Sequence, residues 1–193
     1  MTTQIGFRGR LLEALAGAIA EDGYRKTTVA DIVRRARTSR RTFYEHFSDK
    51  EACFVALLSD AIASMIGQIA AAVDAKAPWD VQIRQAVGAW IEAAESAPAL
   101  TVAWIRDLPS LGAAARHLQR EAMDGFITML QTLCDTDELR AAGISPVSRP
   151  RAIILLGGLR ELMATIVEDG GRLGDVADQA ERASIALLGP HRP

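Results

Sequence analysis

The residues best equipped for chemistry lie together in "RRARTSRRTFYEHFSDKE", residues 34–51, where five arginines and three aromatics share one short segment. Guanidinium forks suit phosphate oxygens and the guanine edge, and serine, threonine and tyrosine hydroxyls suit the same polyanion. Phe43, Tyr44 and Phe47, in contrast, ask for burial. A segment that needs both solvent and core must be a rigid element with two faces. On a helix begun at Arg40, steps of about 100° place Phe43 and Phe47 about 40° apart on one side and Arg41 and Glu45 opposite. Arg40 and Tyr44 fall on one flank, and Thr42 and His46 on the other. Phe43 and Phe47 then anchor the helix, while arginine, threonine and carboxylate face outward. His46 reads as a packed or solvated side chain rather than a reader.

Other chemistries find little support. Three histidines and two cysteines are scattered without zinc-type spacing. There is no P-loop, no dinucleotide-type glycine pattern after a strand and no G-x-S-x-G. Glu92 and Glu95 stand at helical i,i+3 spacing, which surface charge explains. The expectation is therefore no metal, no cofactor and no enzyme. Cys53 and Cys134 form no framework and read as ordinary buried thiols in a reducing cytoplasm.

Charge is divided along the chain. Residues 1–52 carry ten Lys/Arg against seven Asp/Glu, and residues 53–193 carry twelve against seventeen, so a basic head joins an acidic body. That asymmetry suits a protein that meets a polyanion at one end. With 49% hydrophobic residues over 193 positions, the chain can bury a substantial core. No run approaches the roughly 18 consecutive apolar residues of a membrane span. The opening "MTTQIGFRGR" lacks a signal-peptide pattern. A cytoplasmic location without a membrane partner is expected.

The positioning elements are helices throughout. Leu12, Leu15 and Ile19 recur at helical spacing up to "EDGY", where Gly23 suits a C-terminal cap. Thr28 with Asp31 resembles a capping box ahead of Val29, Ile32, Val33 and Ala36. Ser39 caps the arginine-bearing helix, and Asp49 caps a long one running to about residue 75. Prolines 78, 98, 109 and 146 mark helix boundaries in the remainder. Ile83, Val87, Trp90 and Ala94 share a face, as do Met123, Phe126, Leu130 and Leu133. No strand pattern occurs, so the class is all-α. Two short helices joined by "RART" form a helix-turn-helix, the second sized for a DNA major groove. The boundaries expected are 1–52 for this head and 53–193 for an antiparallel helical bundle.

Residues 8–57 resemble the DNA-binding domain of the TetR (tetracycline repressor) family. The resemblance is carried by Thr27, Thr28, Ile32, Ser39, Thr42, Phe43, Tyr44, Phe47, Lys50 and Glu51 at the family's spacing, and it covers about a quarter of the chain. It implies that Thr28, Tyr44 and Lys50 hold DNA phosphates. Arg41 and Thr42 are the candidates for base edges; Arg40 and Ser39 serve either role, and Ser39 also suits pure capping. Two positions depart from the pattern. The family often has Gly where Arg37 stands and Gly or a small residue where Arg41 stands. Arg37 strains the turn if its backbone must adopt positive φ, and Arg41 makes the head more basic.

The resemblance further implies a C-terminal domain that dimerises and binds a small, largely apolar effector. Met65, Ile69, Trp90, Trp104, Met123, Phe126 and Met163 are its candidate lining, although each also suits plain core. Arg106 and Asp107 either orient a polar group or face solvent. Apolar residues from Ile153 to Leu156 sweep about 300° of a helix and need cover on several sides. With Gly157 and Leu187 they form the candidate dimer interface, with close packing inside one subunit as the alternative for Gly157-Gly158. A final helix near 174–188 completes that interface. The function implied is a repressor that binds a palindromic DNA operator as a homodimer and leaves it when the effector binds. The alternative is an architectural DNA-binding protein without an effector.

Overall fold

The computed structural model describes residues 6–144 and 146–190, and among them every regular element is helical. In chain order these are α1 (Phe7–Asp22), α2 (Val29–Arg35), α3 (Arg40–His46), α4 (Lys50–Ala72), α5 (Trp79–Ser96), α6 (Pro98–Arg106), α7 (Ala113–Cys134), α8 (Asp137–Ala141), α9 (Arg149–Glu168) and α10 (Ala177–Leu188). Short 3-10 turns occupy Leu108–Leu111 and Leu173–Val176. The all-α class and the N-terminal helix-turn-helix read from the sequence are both present.

Local chemistry explains most boundaries. The Thr28 hydroxyl accepts from the Asp31 N–H while the Asp31 carboxylate accepts from the Thr28 N–H, a complete capping box. Ser39 accepts from the Thr42 N–H at 3.1 Å, Asp49 from the Ala52 N–H at 2.7 Å, and Ser148 from the Arg151 N–H at 3.4 Å. Pro98 opens α6, where its missing N–H is harmless. Three boundaries differ from the sequence expectation. The long helix stops at Ala72 rather than about 75. The last one is entered through a 3-10 turn and begins at Ala177. Pro109 lies within the Leu108–Leu111 turn, whose first positions need no N–H donor.

The chain forms two compact units, one running to Ala61 and including Ala97–Leu118, the other comprising Ile62–Ser96 and the residues from Gln119 onward. In the first, Leu11 and Leu15 of α1, Ile32 of α2, Phe43 of α3, and Cys53 and Phe54 of α4 are fully buried. Leu108 joins this core, which explains why a segment so distant in sequence belongs to it. Burying each large apolar side chain contributes about 1.5–3 kcal/mol, so these six helical residues define the unit more strongly than any surface pair.

The second unit centres on Ile127, Leu130 and Cys134 of α7, Val147 just before α9, Ala152 and Leu155 of α9, and Leu188 of α10. Gln82 is buried and donates to the carbonyls of Ala75 and Ala77, tying the loop before α5 to that helix. Burial raises the Cys134 thiol to about 11, and in the first unit it raises the Cys53 thiol to about 12. Helix α4 has a mean hydropathy of 1.7 over its most apolar stretch, long and apolar enough to cross a membrane by length and composition. Its first turns bury Cys53, Phe54, Leu57 and Leu58 in the first unit.

Candidate nucleic-acid interface

Helix α3 is held as its sequence demands. Phe43 is fully buried and lies edge-on to Tyr44 at 5.4 Å and tilted against Phe47 at 5.7 Å. The opposite side is open. Arg40 and Arg41 are exposed, Thr42 is half-buried, and Tyr44 keeps 57% of its surface in solvent despite its aromatic ring. Arg41 Nε donates to Glu45 Oε1 at 3.1 Å, one turn along, with 90% of its side chain exposed. So exposed a pair is weak and yields readily to a stronger acceptor. The Ser39 and Thr42 hydroxyl oxygens stand 3.0 Å apart, and Ser39 also caps α3. Ser39, Arg40, Arg41 and Thr42 thus come together at the N-terminal end of α3, the end that a helix-turn-helix presents to base edges.

Thr28 sits at the start of α2, but its hydroxyl donates to Asp31 Oδ2 at 2.6 Å. That bond, followed by the one from the Thr28 N–H, holds the Asp31 carboxyl below its ordinary range. A phosphate at this position meets backbone N–H groups more readily than the occupied hydroxyl.

Lys50 is placed differently from a simple phosphate ligand. Its Nζ donates to the carbonyls of Thr27 at 2.9 Å and Tyr24 at 3.1 Å, and lies 4.2 Å from the Tyr24 ring centroid. Two of its three donors are spent inside the head, and burial pulls its pKa down, opposed by Glu51 and Asp107. Lys50 fastens the start of α4 to the turn that leads into α2.

That turn was not read from the sequence as a structural centre. Tyr24 stacks on Phe54 with centroids 3.9 Å apart, and burial drives its hydroxyl up to about 12. Its buried oxygen has no hydrogen-bond partner among the described residues. Beside it, Arg25 Nε donates to Asp107 Oδ1 at 2.9 Å. Asp107 is therefore ion-paired and largely shielded from solvent. Tyr24 carried a detectable signal, an aromatic directly after a helix-ending glycine. The Arg25–Asp107 pair carried none, because its members are 82 positions apart.

Arg37 does adopt positive φ, at +50°, and no other non-glycine does so among the described residues. It also lines a cleft with Arg10, Glu13, Ala14, Arg35 and Ala36.

The candidate effector lining divides between the units. Trp104, half-buried, lies on α6 in the first. Met65, Ile69, Trp90, Met123, Phe126 and Met163 lie in the second, where Ile69 and Met163 are buried and Met123 packs against the core. On α9, Ala152 and Leu155 turn inward while Ile153 and Ile154 stay 42% and 63% exposed. Leu156 and Leu187 pack partly on the core. A Cβ on Gly157 or Gly158 would meet nothing within 4 Å, so packing inside this chain does not require glycine there. Among the described residues, no neighbour within the chain approaches them closely.

The geometry defines a class: a helix-turn-helix head whose second helix is cored on one face and basic on the other. Residues 11–57 match the family of bacterial regulatory proteins known as the tetR family. Over these residues the head is similar to the helix-turn-helix domain of that family. It is 35% identical over 60 residues to the uncharacterized HTH-type transcriptional regulator YvdT of Bacillus subtilis, a match covering 31% of each chain. It is 33% identical over 61 residues to an uncharacterized HTH-type transcriptional regulator of Mycobacterium bovis, again covering 32% of each. The similarity thus spans about a third of these relatives' own length. Over the whole chain the fold is that of the fatty acid degradation regulator FadR of Bacillus halodurans, at a TM-score of 0.77, 17% identity and 99% coverage of both chains. FadR of Bacillus subtilis, in complex with stearoyl-CoA, superposes with a TM-score of 0.74 at 16% identity, covering 95% of this chain and 98% of that one.

Proposed function

We propose that this chain is a DNA-binding transcriptional regulator of the bacterial cytoplasm, a repressor that grips a palindromic operator as a homodimer. The observation that carries this reading is the two-faced α3: Phe43 locked in the core, with Ser39, Arg40, Arg41, Thr42 and Tyr44 on its open side. Arg41 and Thr42 read base edges, while Arg40, Tyr44, Ser39 and the N–H groups at Thr28 hold the backbone. Lys50 contributes chiefly by fixing the head, with one donor left for a phosphate.

The exposed Ile153 and Ile154, beside glycines that leave room for another backbone, favour a partner on α9. A twofold pair sets two heads about 34–36 Å apart, matching successive major grooves. The effector is small and largely apolar and lodges among residues such as Met65, Ile69, Trp90, Phe126 and Met163. That a protein of the same fold is held in complex with stearoyl-CoA supports an apolar ligand for this chain. Because α4 runs unbroken from Lys50 to Ala72, a shift of its distal half reaches the head along one rod. A typical coupling of about 1–3 kcal/mol releases the operator.

The test is binding of the full-length protein to DNA from upstream of its own gene, with random competitor, at two salt concentrations. A preference of about a thousandfold is expected for a sequence-specific regulator. Arg41→Ala should lower that preference by about 1–3 kcal/mol. Equal binding to every fragment, falling steeply with salt, would instead mark an architectural DNA-binding protein.

A further inference from the structure

The open cleft formed by α1 and the end of α2 has a volume of about 360 Å³ and is lined by three cations, Arg10, Arg35 and Arg37, against one acid, Glu13. The three are not equivalent. Arg35 is paired with Glu21 and lies across α1 at Gly17, where a Cβ would stand only 2.9 Å from its Nη1. It is neutralised and serves as a wall. Arg10 Cζ lies 4.4 Å from the Phe7 ring centroid, and its guanidinium donors have no hydrogen-bond or ion-pair partner among the described residues. The Arg37 side chain has no hydrogen-bond or ion-pair partner among the described residues, and its backbone is held at φ +50°, where glycine would sit without strain. A bulky cation is thus kept at a strained position of the head and given nothing within the chain to bind.

Arg37 precedes Arg40 by three residues, at most about 10 Å along an extended chain. The major groove is about 12 Å wide, so a guanidinium on this turn stays within reach of the backbone that borders the groove α3 enters. We infer that the cleft seats one backbone phosphate of duplex DNA, held by Arg37 from the turn and Arg10 from α1. This extends the footprint beyond the contacts made by α2 and α3. The contact adds affinity without sequence preference, and Glu13 limits how tightly the phosphate is held. The inference rests on the DNA-binding reading of the head.

The experiment is a salt titration of binding by the full-length protein to two duplexes of about 30 base pairs, one from upstream of its own gene and one scrambled. Arg37→Gly is the decisive variant because glycine accepts the backbone conformation and the head stays folded. Losing one phosphate contact flattens the slope of log K against log salt by about 0.9 and weakens binding about fivefold near 0.15 M salt, equally on both duplexes. Arg10→Ala should move the slope in the same direction, and Arg37→Lys should restore it. Unchanged slopes in both Arg37→Gly and Arg10→Ala would overturn the phosphate site while leaving the regulator reading intact. No binding of the parent protein to either duplex would overturn both.

Discussion

The head and the second unit are built from the same kind of element but finish their surfaces in opposite ways. In the head, Ile32 and Val33 of α2 and Phe43 of α3 are buried, Val29 is half-buried, and the exposed Tyr44 is tipped with a hydroxyl. What remains outside is mostly charge. In the second unit, α9 leaves Ile153 and Ile154 in solvent next to two unencumbered glycines. The exception in the head is Phe7 of α1, 49% exposed, with Arg10 lying over its ring. The second unit leaves an apolar patch on α9 in solvent.

The contrast can be broken most severely at Phe43. Phe43→Ala removes a fully buried ring from the head, and such truncations cost about 3–5 kcal/mol. The head should melt first and DNA binding vanish, while circular dichroism retains the helices of the second unit. Retained binding at full strength would show that α3 does not depend on that anchor.

A smaller effect is expected at Ile154. Ile154→Asp places a charge on a side chain already 63% exposed, so the monomer should keep its stability within about 0.5 kcal/mol. Sedimentation should nonetheless shift toward monomer, with a dimer dissociation constant raised at least about tenfold through lost apolar burial of about 1.5–3 kcal/mol. An unchanged oligomeric state would remove α9 from the interface.

The smallest effect concerns acid. The Asp49 carboxyl is held below its ordinary range first by the Ala52 N–H and then by the Ser48 hydroxyl. A carboxyl whose folded pKa is depressed stabilises the protein above its unfolded value near 4, and that contribution is lost as pH falls through the folded value. Asp49→Ala should cost about 1 kcal/mol at pH 7, as a lost helix cap does. Melting curves should show the gap between variant and parent narrowing below about pH 4. A gap independent of pH would remove the charge from the account.

These outcomes bear on what the sequence could disclose. The helices of the head were legible because their signals are local: Thr28 with Asp31, Ser39 with Thr42, Phe43 with Phe47, each within four positions. The positive φ at Arg37 was legible for the same reason, as an arginine where the family often has glycine. Lys50 was not, since a long side chain can turn toward phosphate or toward carbonyls 23 and 26 positions earlier. The cleft at Arg10 and Arg37 needed α1 and α2 packed before its members met. In the second unit, methionine and tryptophan on a helix face read alike whether they fill a core or line a pocket. Periodicity therefore placed them on helices without assigning them a role. The apolar run from Ile153 to Leu156 marked a helix needing cover, but only packing showed which of its residues lie outside.

The two cysteines carry a consequence of another kind. Each unit encloses one, Cys53 in the first and Cys134 in the second, with thiols driven to about 12 and 11 by burial. In the closed state neither offers a thiolate to an alkylating reagent. Modification therefore waits for its own unit to open, and the two labelling rates become separate clocks for local unfolding, built into the chain without any added probe. An added duplex should slow the first clock, and an apolar ligand the second.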